Sequence, residues 1–314
     1  MTSASGRTRT DLVVFGEFFL DLVFYSLPSM PTMGQEVKTR HFAEFPGGGV
    51  ATTAMVAAGL GTRTAVVTRV GTDAREHPAW LKFEQMGIDT RASEYSRRFS
   101  TAMTVCAACD GDRMMITHDA INQGLNTLFK RPVVLRQFHR ARHLHLACMP
   151  WPPQTWALAI RKFRSEGLTI STDLGWNPEL FESSGLPGLL RECDFMFPNE
   201  LEAVAMTGEK SVERAARKLA KWVPMPVLKL GRDGCMAVED GKILRVKSIP
   251  VQVVDATGAG DAFNGGFLHG YLSGWSIEDC LRAGNVCGAM ATTRPGGASR
   301  IVSRRKLRQL MKQI

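Results

Sequence analysis

Residues 254–266 of the chain read Val254-Asp255-Ala256-Thr257-Gly258-Ala259-Gly260-Asp261-Ala262-Phe263-Asn264-Gly265-Gly266. Apolar residues on either side of the Thr-Gly-Ala-Gly run predict a strand before it and a helix after it. The strand is assigned to Val251, Val253 and Val254, and the apolar helical face to Phe263, Phe267, Leu268, Tyr271 and Leu272. Glycines let a ligand approach the backbone closely, and a helix N-terminus presents unpaired N–H groups. The turn is therefore expected to bind an anion.

Asp261 falls in the first turn of this predicted helix. From there a carboxylate could accept the proton of a hydroxyl that attacks a phosphoryl group held by the N–H groups. A bare Gly-x-Gly-Asp sequence is more often a plain turn whose acid complements the helix dipole. The functional interpretation depends on the whole run.

The whole run resembles the C-terminal signature of the ribokinase/PfkB family of carbohydrate kinases, Asp-Thr-x-Gly-Ala-Gly-Asp-x-Phe-x-x-Gly. Ala256 stands where threonine is usual, and Thr257 fills the variable position. The resemblance implies that Asp261 is the catalytic base. It also implies an anion hole made of Gly258, Ala259 and Gly260.

Composition and charge limit the classes of protein to which the chain can belong. The chain has 314 residues, 44% of them hydrophobic, which is ample for a buried core. No apolar run approaches the roughly 20 residues of a membrane span, and the N-terminus lacks the apolar core of a signal peptide. Seven scattered cysteines fit reduced thiols, so a cytoplasmic location without a membrane partner is expected. The net charge of +9 is spread along the chain, and no nucleic-acid fold is recognisable, so no nucleic-acid partner is expected.

The first strand motif, Gly16 to Asp21, resembles the family segment in which an Asn and an Asp bind substrate hydroxyls. Asp21 matches the second of these, with a surface turn residue as the alternative, while Phe19 replaces the Asn. Gly47 and Gly48 resemble the pair whose N–H groups meet the sugar. Thr52 takes the position of a second expected Asn, which leaves the pocket with fewer polar groups than a ribokinase has.

The nucleotide and its metal are assigned by further resemblances. Asn199 and Glu202 match the Asn-x-x-Glu motif that holds phosphate and Mg²⁺ largely through water, although an Asn followed by acids is also a good helix start. Nucleotide contacts are assigned to Lys229, Gly231, Gly234, Thr257, Gly258 and Gly260. Asn285 and Gly288 either flank adenine or pack helices tightly. Asp173 and Asn177 follow a strand, where ligands bind in open α/β sheets.

A monovalent cation is held beside the anion hole in many members of the family. The signature aspartate, Asp255, is kept here. The backbone at Thr257, Arg294 and Gly296 is predicted to complete the shell. The resemblance therefore implies ATP and Mg²⁺ as cofactors, with K⁺ as an expected activator.

The fold class predicted is a ribokinase-like three-layer α/β/α core with a mostly parallel sheet and a small β-sheet lid. The core is assigned to residues 1–16, 46–98 and 119–314, and the lid to 17–45 and 99–118, with a hairpin turn at Asp110-Gly111. In the family such a lid often pairs with a second subunit, so a homodimer is expected. Core strands are predicted at 142–147, 168–173, 193–197, 226–230 and 235–238, and helices at 154–166 and 211–222.

The function predicted is an ATP-dependent phosphotransferase that acts on a sugar hydroxyl. Two alternatives stay open at this point. One is a nucleoside kinase of the same fold, suggested by Phe18, Phe19 and the missing asparagines. The other is a non-catalytic regulator that binds sugar or nucleotide.

Overall fold

The computed structural model describes residues 10–109, 112–297 and 301–314. These residues form strands β1 (Leu12–Gly16), β2 (Phe19–Phe24), β3 (Phe42–Gly47), β4 (Thr64–Val67), β5 (Arg69–Gly71), β6 (Glu94–Ser96), β7 (Met103–Cys109), β8 (Asp112–His118), β9 (His143–Ala147), β10 (Thr169–Asp173), β11 (Phe195–Met196), β12 (Met225–Lys229), β13 (Cys235–Glu239) and β14 (Lys242–Val246). They also form helices α1 (Gly48–Gly59), α2 (Pro78–Gln85), α3 (Leu125–Leu128), α4 (Pro132–Phe138), α5 (Pro153–Ser165), α6 (Pro178–Glu182), α7 (Leu186–Leu190), α8 (Glu200–Thr207), α9 (Val212–Leu219), α10 (Ala259–Leu272), α11 (Ile277–Ala291) and α12 (Arg304–Met311).

The main sheet has eight strands in the order β14-β13-β12-β11-β10-β9-β1-β4. Its strands are parallel from β4 to β12, and β13 and β14 are antiparallel. Side chains alternate between two cores: Val13 and Phe15 of β1 belong to one cluster, and Leu12 and Val14 to the other. Because both faces are covered by helices, the strand is apolar throughout. This confirms the predicted three-layer architecture.

A second, four-stranded sheet has the order β3-β2-β7-β8. Strands β2 and β7 are parallel, and the other two pairs are antiparallel. Strand β2 begins three residues after β1 ends, so the chain passes from the carboxyl edge of the main sheet directly into the lid sheet. The predicted Asp110-Gly111 turn lies outside the described residues.

The predicted strand at Val251, Val253 and Val254 is wrong. The sheet already ends at β14, and residues 247–258 form an irregular connector. The N–H groups of Val254 and Asp255 donate to the carbonyl of Thr292 at the end of α11 instead of to a strand. Val253 and Val254 remain 61% and 58% exposed, so their apolar pattern does not mark a buried strand.

Helix α10 passes between α1 and α11, and glycines bring their backbones close together. A Cβ on Gly265 would lie 2.7 Å from the carbonyl oxygen of Thr53 in α1. One on Gly266 would lie 2.7 Å from both the carbonyl oxygen of Ala283 and the sulfur of Cys287 in α11. This packing fixes α10, and with it Asp261. Among the described residues, no helix combines the length and apolarity that crossing a bilayer demands.

We predict that Gly266→Ala lowers the free energy of unfolding by about 1–3 kcal/mol, because the added methyl overpacks the α10–α11 contact. The matched control is Gly188→Ala in α7, where a Cβ meets nothing within 4 Å. That change should be neutral or stabilising, since alanine favours a helix. Urea denaturation measures both. Equal effects of the two changes would contradict the packing argument.

Candidate active site

The N-terminus of α10 has the geometry of an anion site. Gly258, the N-cap, has a φ of +71°, a left-handed conformation that favours glycine. A Cβ there would also lie 2.8 Å from the Cα of Gly297 and 3.2 Å from Oγ1 of Thr52. Ala259 and Gly260 open the helix, and Asp261 sits in its first turn. The unpaired N–H groups of this turn and the carboxylate of Asp261 are thereby placed side by side.

The glycines at 47–49 bring the predicted substrate residues together. A Cβ on Gly47 would collide with the carboxylate of Asp21, and one on Gly48 would lie 3.0 Å from the ring of Phe19. A Cβ on Gly49 would lie 3.0 Å from Oδ1 of Asp261. Both carboxylates and the aromatic ring therefore surround one short backbone segment. We call Phe19, Asp21, Asp261 and Gly47–Gly49 the substrate cluster.

Thr52 does not occupy the open side of this cluster. It is only 3% exposed. Its hydroxyl faces the backbone of Gly258 and Gly297. The residue in the position of the second expected Asn therefore packs against the anion hole.

Lys229 and Asp173 form an almost fully buried ion pair between β12 and β10. The distance from Nζ of Lys229 to Oδ2 of Asp173 is 2.6 Å, and their side chains are 13% and 10% exposed. Asn264 of α10 donates to the same oxygen at 2.7 Å. Burial is the largest single influence and favours the neutral groups, but the partner's charge and the hydrogen bonds together outweigh it. The pKa of Asp173 is lowered, and that of Lys229 is raised. Nζ of Lys229 also lies 3.1 Å from where a Cβ on Gly260 would be, which places its charge at the anion hole.

The pKa of Asp261 is raised to about 7, first by burial and then by the negative charge of Asp173, while Lys229 opposes the shift. A general base works best when its pKa lies near the working pH. The carboxylate also has no hydrogen-bond partner among the described residues, because only the backbone oxygen of Asp261 accepts a bond, from Thr53. It is therefore available to a substrate hydroxyl.

Asn199 and Glu202 form two reciprocal hydrogen bonds at the start of α8. Oδ1 of Asn199 accepts from the N–H of Glu202 at 2.9 Å, and Oε2 of Glu202 accepts from the N–H of Asn199 at 2.8 Å. This is a complete capping box, so the helix-start alternative is correct as local structure. The start of α8 lies beside the Lys229–Asp173 pair, because the N–H of Lys229 donates to the carbonyl of Pro198 at 2.9 Å. Burial and then the charge of Asp173 raise the pKa of Glu202. Within the described ranges, no group of three or more His, Cys, Asp or Glu residues is arranged to hold a metal ion.

A cavity of about 500 Å³ lies on the other side of the anion hole. Its size is within the range of small-ligand sites. It is lined by Lys229, Gly231, Arg232, Gly234, Ser248, Ile249, Pro250, Val251, Val253, Ala256, Ala259, Gly260, Phe263, Asn285, Gly288, Ala289 and Thr292. The connector 247–258 thus forms a wall of this cavity, which explains why its valines are exposed.

Asn285 and Gly288 have structural roles inside this wall. The amide of Asn285 donates to the carbonyls of Val246 and Lys247, both at 3.0 Å, and so ties α11 to the end of β14. A Cβ on Gly288 would lie 3.0 Å from the carbonyl oxygen of Ala259. Both residues also line the cavity, so their place beside adenine stays a prediction. Asn177 likewise caps α6, with its side chain accepting from Leu180.

Asp255 connects the two segments predicted to hold a monovalent cation. Its Oδ1 accepts from the N–H of Thr257 at 2.9 Å and from its hydroxyl at 2.6 Å. Its Oδ2 accepts from the N–H of Gly296 at 3.0 Å. The side chain of Arg294 is exposed. The carboxylate therefore holds the Thr257 and Gly296 backbones close together beside the anion hole.

The fold and the site together define a kinase of the ribokinase type, and comparison with known proteins agrees. The family model described as pfkB family carbohydrate kinase matches residues 9–304. The chain is 27% identical over 279 residues to a cytidine kinase of Thermococcus kodakarensis, covering 87% of this chain and 93% of the relative. It is 28% identical over 309 residues to a ribokinase of Haemophilus influenzae, covering 95% and 97%.

Among solved structures, Arabidopsis thaliana ribokinase complexed with ribose and ATP superposes with a TM-score of 0.82 at 23% identity. The match covers 97% of this chain and 99% of that one. The chain belongs to the pfkB family of carbohydrate kinases.

We predict that Asp173→Asn lowers the free energy of unfolding by about 3–5 kcal/mol, because it leaves the ammonium of Lys229 buried without a countercharge. Adding Lys229→Met to this variant should restore part of the loss. Glu36→Gln, which breaks an exposed pair with Lys38, is the control and should leave stability unchanged. Denaturant titration measures all three. A double variant less stable than Asp173→Asn would contradict this account.

Proposed function

We propose that the chain transfers the γ-phosphoryl group of ATP to a hydroxyl of a sugar or nucleoside, with Asp261 as the base. The observation that carries the proposal is the position of two consecutive residues. Gly260 lines the cavity of about 500 Å³, and Asp261 contacts Gly49 in the substrate cluster. A phosphoryl group that passes from one site to the other crosses the N-terminus of α10. That is where the N–H groups and Lys229 would stabilise its charge.

In this mechanism Asp261 accepts the proton of the attacking hydroxyl. The N–H groups at Gly258, Ala259 and Gly260 bind the oxygens of the transferred group, and Lys229 supplies a fixed positive charge. Asp173 orients Lys229 and does not contact the reacting atoms. The intact base and anion hole favour catalysis over the alternative of a non-catalytic regulator.

Phe19 and Thr52 support a substrate unlike free ribose. Phe19 is partly exposed beside Gly48, while Thr52 is turned away, so an aromatic or apolar part of the substrate would contact the ring. This favours the nucleoside alternative or a sugar with a different hydroxyl pattern. Ribose showing the highest kcat/KM in a panel of neutral sugars and nucleosides would contradict it.

Mg²⁺ would supply charge neutralisation on the phosphates. Asn199 and Glu202 are proposed to hold it through water. The fit rests on donor chemistry, because carboxylate and amide oxygens are ligands that Mg²⁺ accepts. K⁺ is proposed to bind the backbone at Thr257, Arg294 and Gly296 beside Asp255. Rates in K⁺ and Na⁺ salts at matched ionic strength test the second site.

The lid, residues 17–45 and 99–118, is proposed to cover the substrate and to form a homodimer. The strand register places Phe24, Phe42, Met114 and Ile116 on one face of the lid sheet, where they are 37%, 47%, 43% and 65% exposed. An exposed apolar patch of this kind marks an interaction surface. Sedimentation measurements test the dimer.

We also propose a cytoplasmic location, supported by buried thiols such as Cys193 and Cys287.

Asp261→Asn is predicted to lower kcat by at least about 10²- to 10⁴-fold, because the amide cannot accept the proton. ATP binding, measured by calorimetry, should survive because the anion hole remains. In the wild-type protein kcat/KM should rise with pH through about 7, where Asp261 ionises. Near-normal turnover of the variant would refute the role of Asp261.

Glu202→Gln is predicted to raise the Mg²⁺ concentration needed for half-maximal activity by about tenfold, by analogy with the loss of an outer-shell metal partner. The amide oxygen can still accept from Asn199, so the capping box survives. Circular dichroism and thermal melting serve as the folding control. Unchanged dependence on Mg²⁺ would place the metal elsewhere.

A further inference from the structure

A third carboxylate, that of Glu17, belongs to the short segment between β1 and β2, next to the substrate cluster. The backbone carbonyl of Glu17 approaches Gly48 so closely that a Cβ there would collide with it. Phe18 is fully buried against Trp80 and Phe83, whereas Glu17 and Phe19 stay partly exposed on either side of it. Side chains alternate along an extended segment. Glu17 therefore faces the same side as Phe19, away from the core.

The carboxylates of Glu17, Asp21 and Asp261 share an unusual property. None of the three makes a hydrogen bond or an ion pair with another side chain or N–H group of the described residues, although all three are largely buried and keep some access to solvent. Carboxylates removed from water in this way are costly unless donors reach them. The carboxylates of Asp21 and Asp261 lie against Gly47 and Gly49, and the side chain of Glu17 lies on the side of the chain that Phe19 faces. All three carboxylates are therefore free to bind a ligand.

The charges nearest to the cluster are mostly negative as well. Burial and then Asp255 raise the pKa of Asp21 to about 7, and burial and then Asp119 raise the pKa of Glu17 to about 7. No cation of the described residues contributes to either shift. Lys229 lies near Asp261, but its charge is matched by Asp173.

We propose that Glu17 is a specificity-determining residue and that the substrate is an uncharged, hydroxyl-rich molecule that donates hydrogen bonds to Glu17, Asp21 and Asp261. The same carboxylates exclude anionic acceptors, namely sugar acids and sugar phosphates. This inference rests on the proposed function and narrows it. A neutral donor satisfies the buried oxygens, whereas an anion brings a like charge against them without a cation to offset it.

The experiment compares neutral acceptors with their anionic counterparts in a coupled kinase assay. The neutral set holds pentoses, ketohexoses, cytidine and adenosine, and the anionic set holds a 2-keto-3-deoxy sugar acid and a pentose 1-phosphate. The best neutral compound should exceed every anionic one in kcat/KM by at least about 100-fold. An anionic compound with the highest kcat/KM would overturn the proposal.

Glu17→Gln tests the residue itself. The change keeps the shape of the side chain and removes its charge, so KM for the best neutral substrate should rise about tenfold while kcat changes little. The ratio of kcat/KM between the best neutral and the best anionic compound should fall by a similar factor. The matched control is Glu213→Gln in α9, outside the lid and the substrate cluster, where Glu213 pairs with Arg245. Identical KM values for wild type and Glu17→Gln, in a variant with an unchanged melting temperature, would remove Glu17 from the site.

Failure of the kinase proposal can be recognised separately. If no compound of the panel is phosphorylated, the proposed function fails, and calorimetric binding of the same compounds to the wild-type protein still decides the charge inference. Tighter binding of neutral compounds supports it. Tighter binding of anionic compounds refutes it.

Discussion

The ion pair between Lys229 and Asp173 connects the parts of the molecule that the proposed phosphoryl transfer requires to meet. It joins β12 to β10 at the carboxyl edge of the sheet, and Asn264 joins α10 to the same carboxylate. Because Lys229 and Asp173 compensate each other, a positive charge can be kept almost buried beside the anion hole. The pair also leaves Asp261 under the influence of a nearby negative charge, which with burial keeps its pKa near neutrality. One interaction thus holds the geometry and, after burial, contributes to the proton affinity of the proposed base.

Glycines determine which side chains can approach this pair. At Gly47 and Gly49 a Cβ would strike or crowd the carboxylates of Asp21 and Asp261, and at Gly258 a positive φ starts α10. Each of these positions is occupied by glycine because a functional group or another backbone needs the space. The same argument explains Gly265 and Gly266, where the space is taken by α1 and α11. The glycine-rich signature therefore combines a ligand site with the packing that fixes it.

Much of this could be predicted from the sequence, because the signature and the core strands are local patterns. The strands at 142–147 and 168–173 agree closely with β9 and β10. The irregular connector at 251–254 could not be predicted. Two of its valines line a cavity, and their apolar spacing only resembles the alternation of a strand. The contacts of Asn285 with Val246 and Lys247 could not be predicted either, because they join residues that are far apart in the sequence. Glu17 was missed, although a charged residue directly after a fully buried strand is a visible signal for a site.

A buried polar row continues from the ion pair into the middle of the sheet. Oγ of Ser171 lies 2.8 Å from Nδ1 of His145 and 2.7 Å from Nε2 of His143. Burial lowers the pKa of both histidines, that of His145 to about 4, with Asp173 and Lys229 as further, opposing influences. Both imidazoles are therefore neutral at physiological pH and bind the serine hydroxyl by hydrogen bonds instead of a metal. Neutral rings add dipoles but no net charge. They can therefore pack next to Asp173 in the sheet while its negative charge stays compensated by Lys229. The buried charges of Lys229 and Asp173 thus lie at the edge of the sheet where the substrates are proposed to meet.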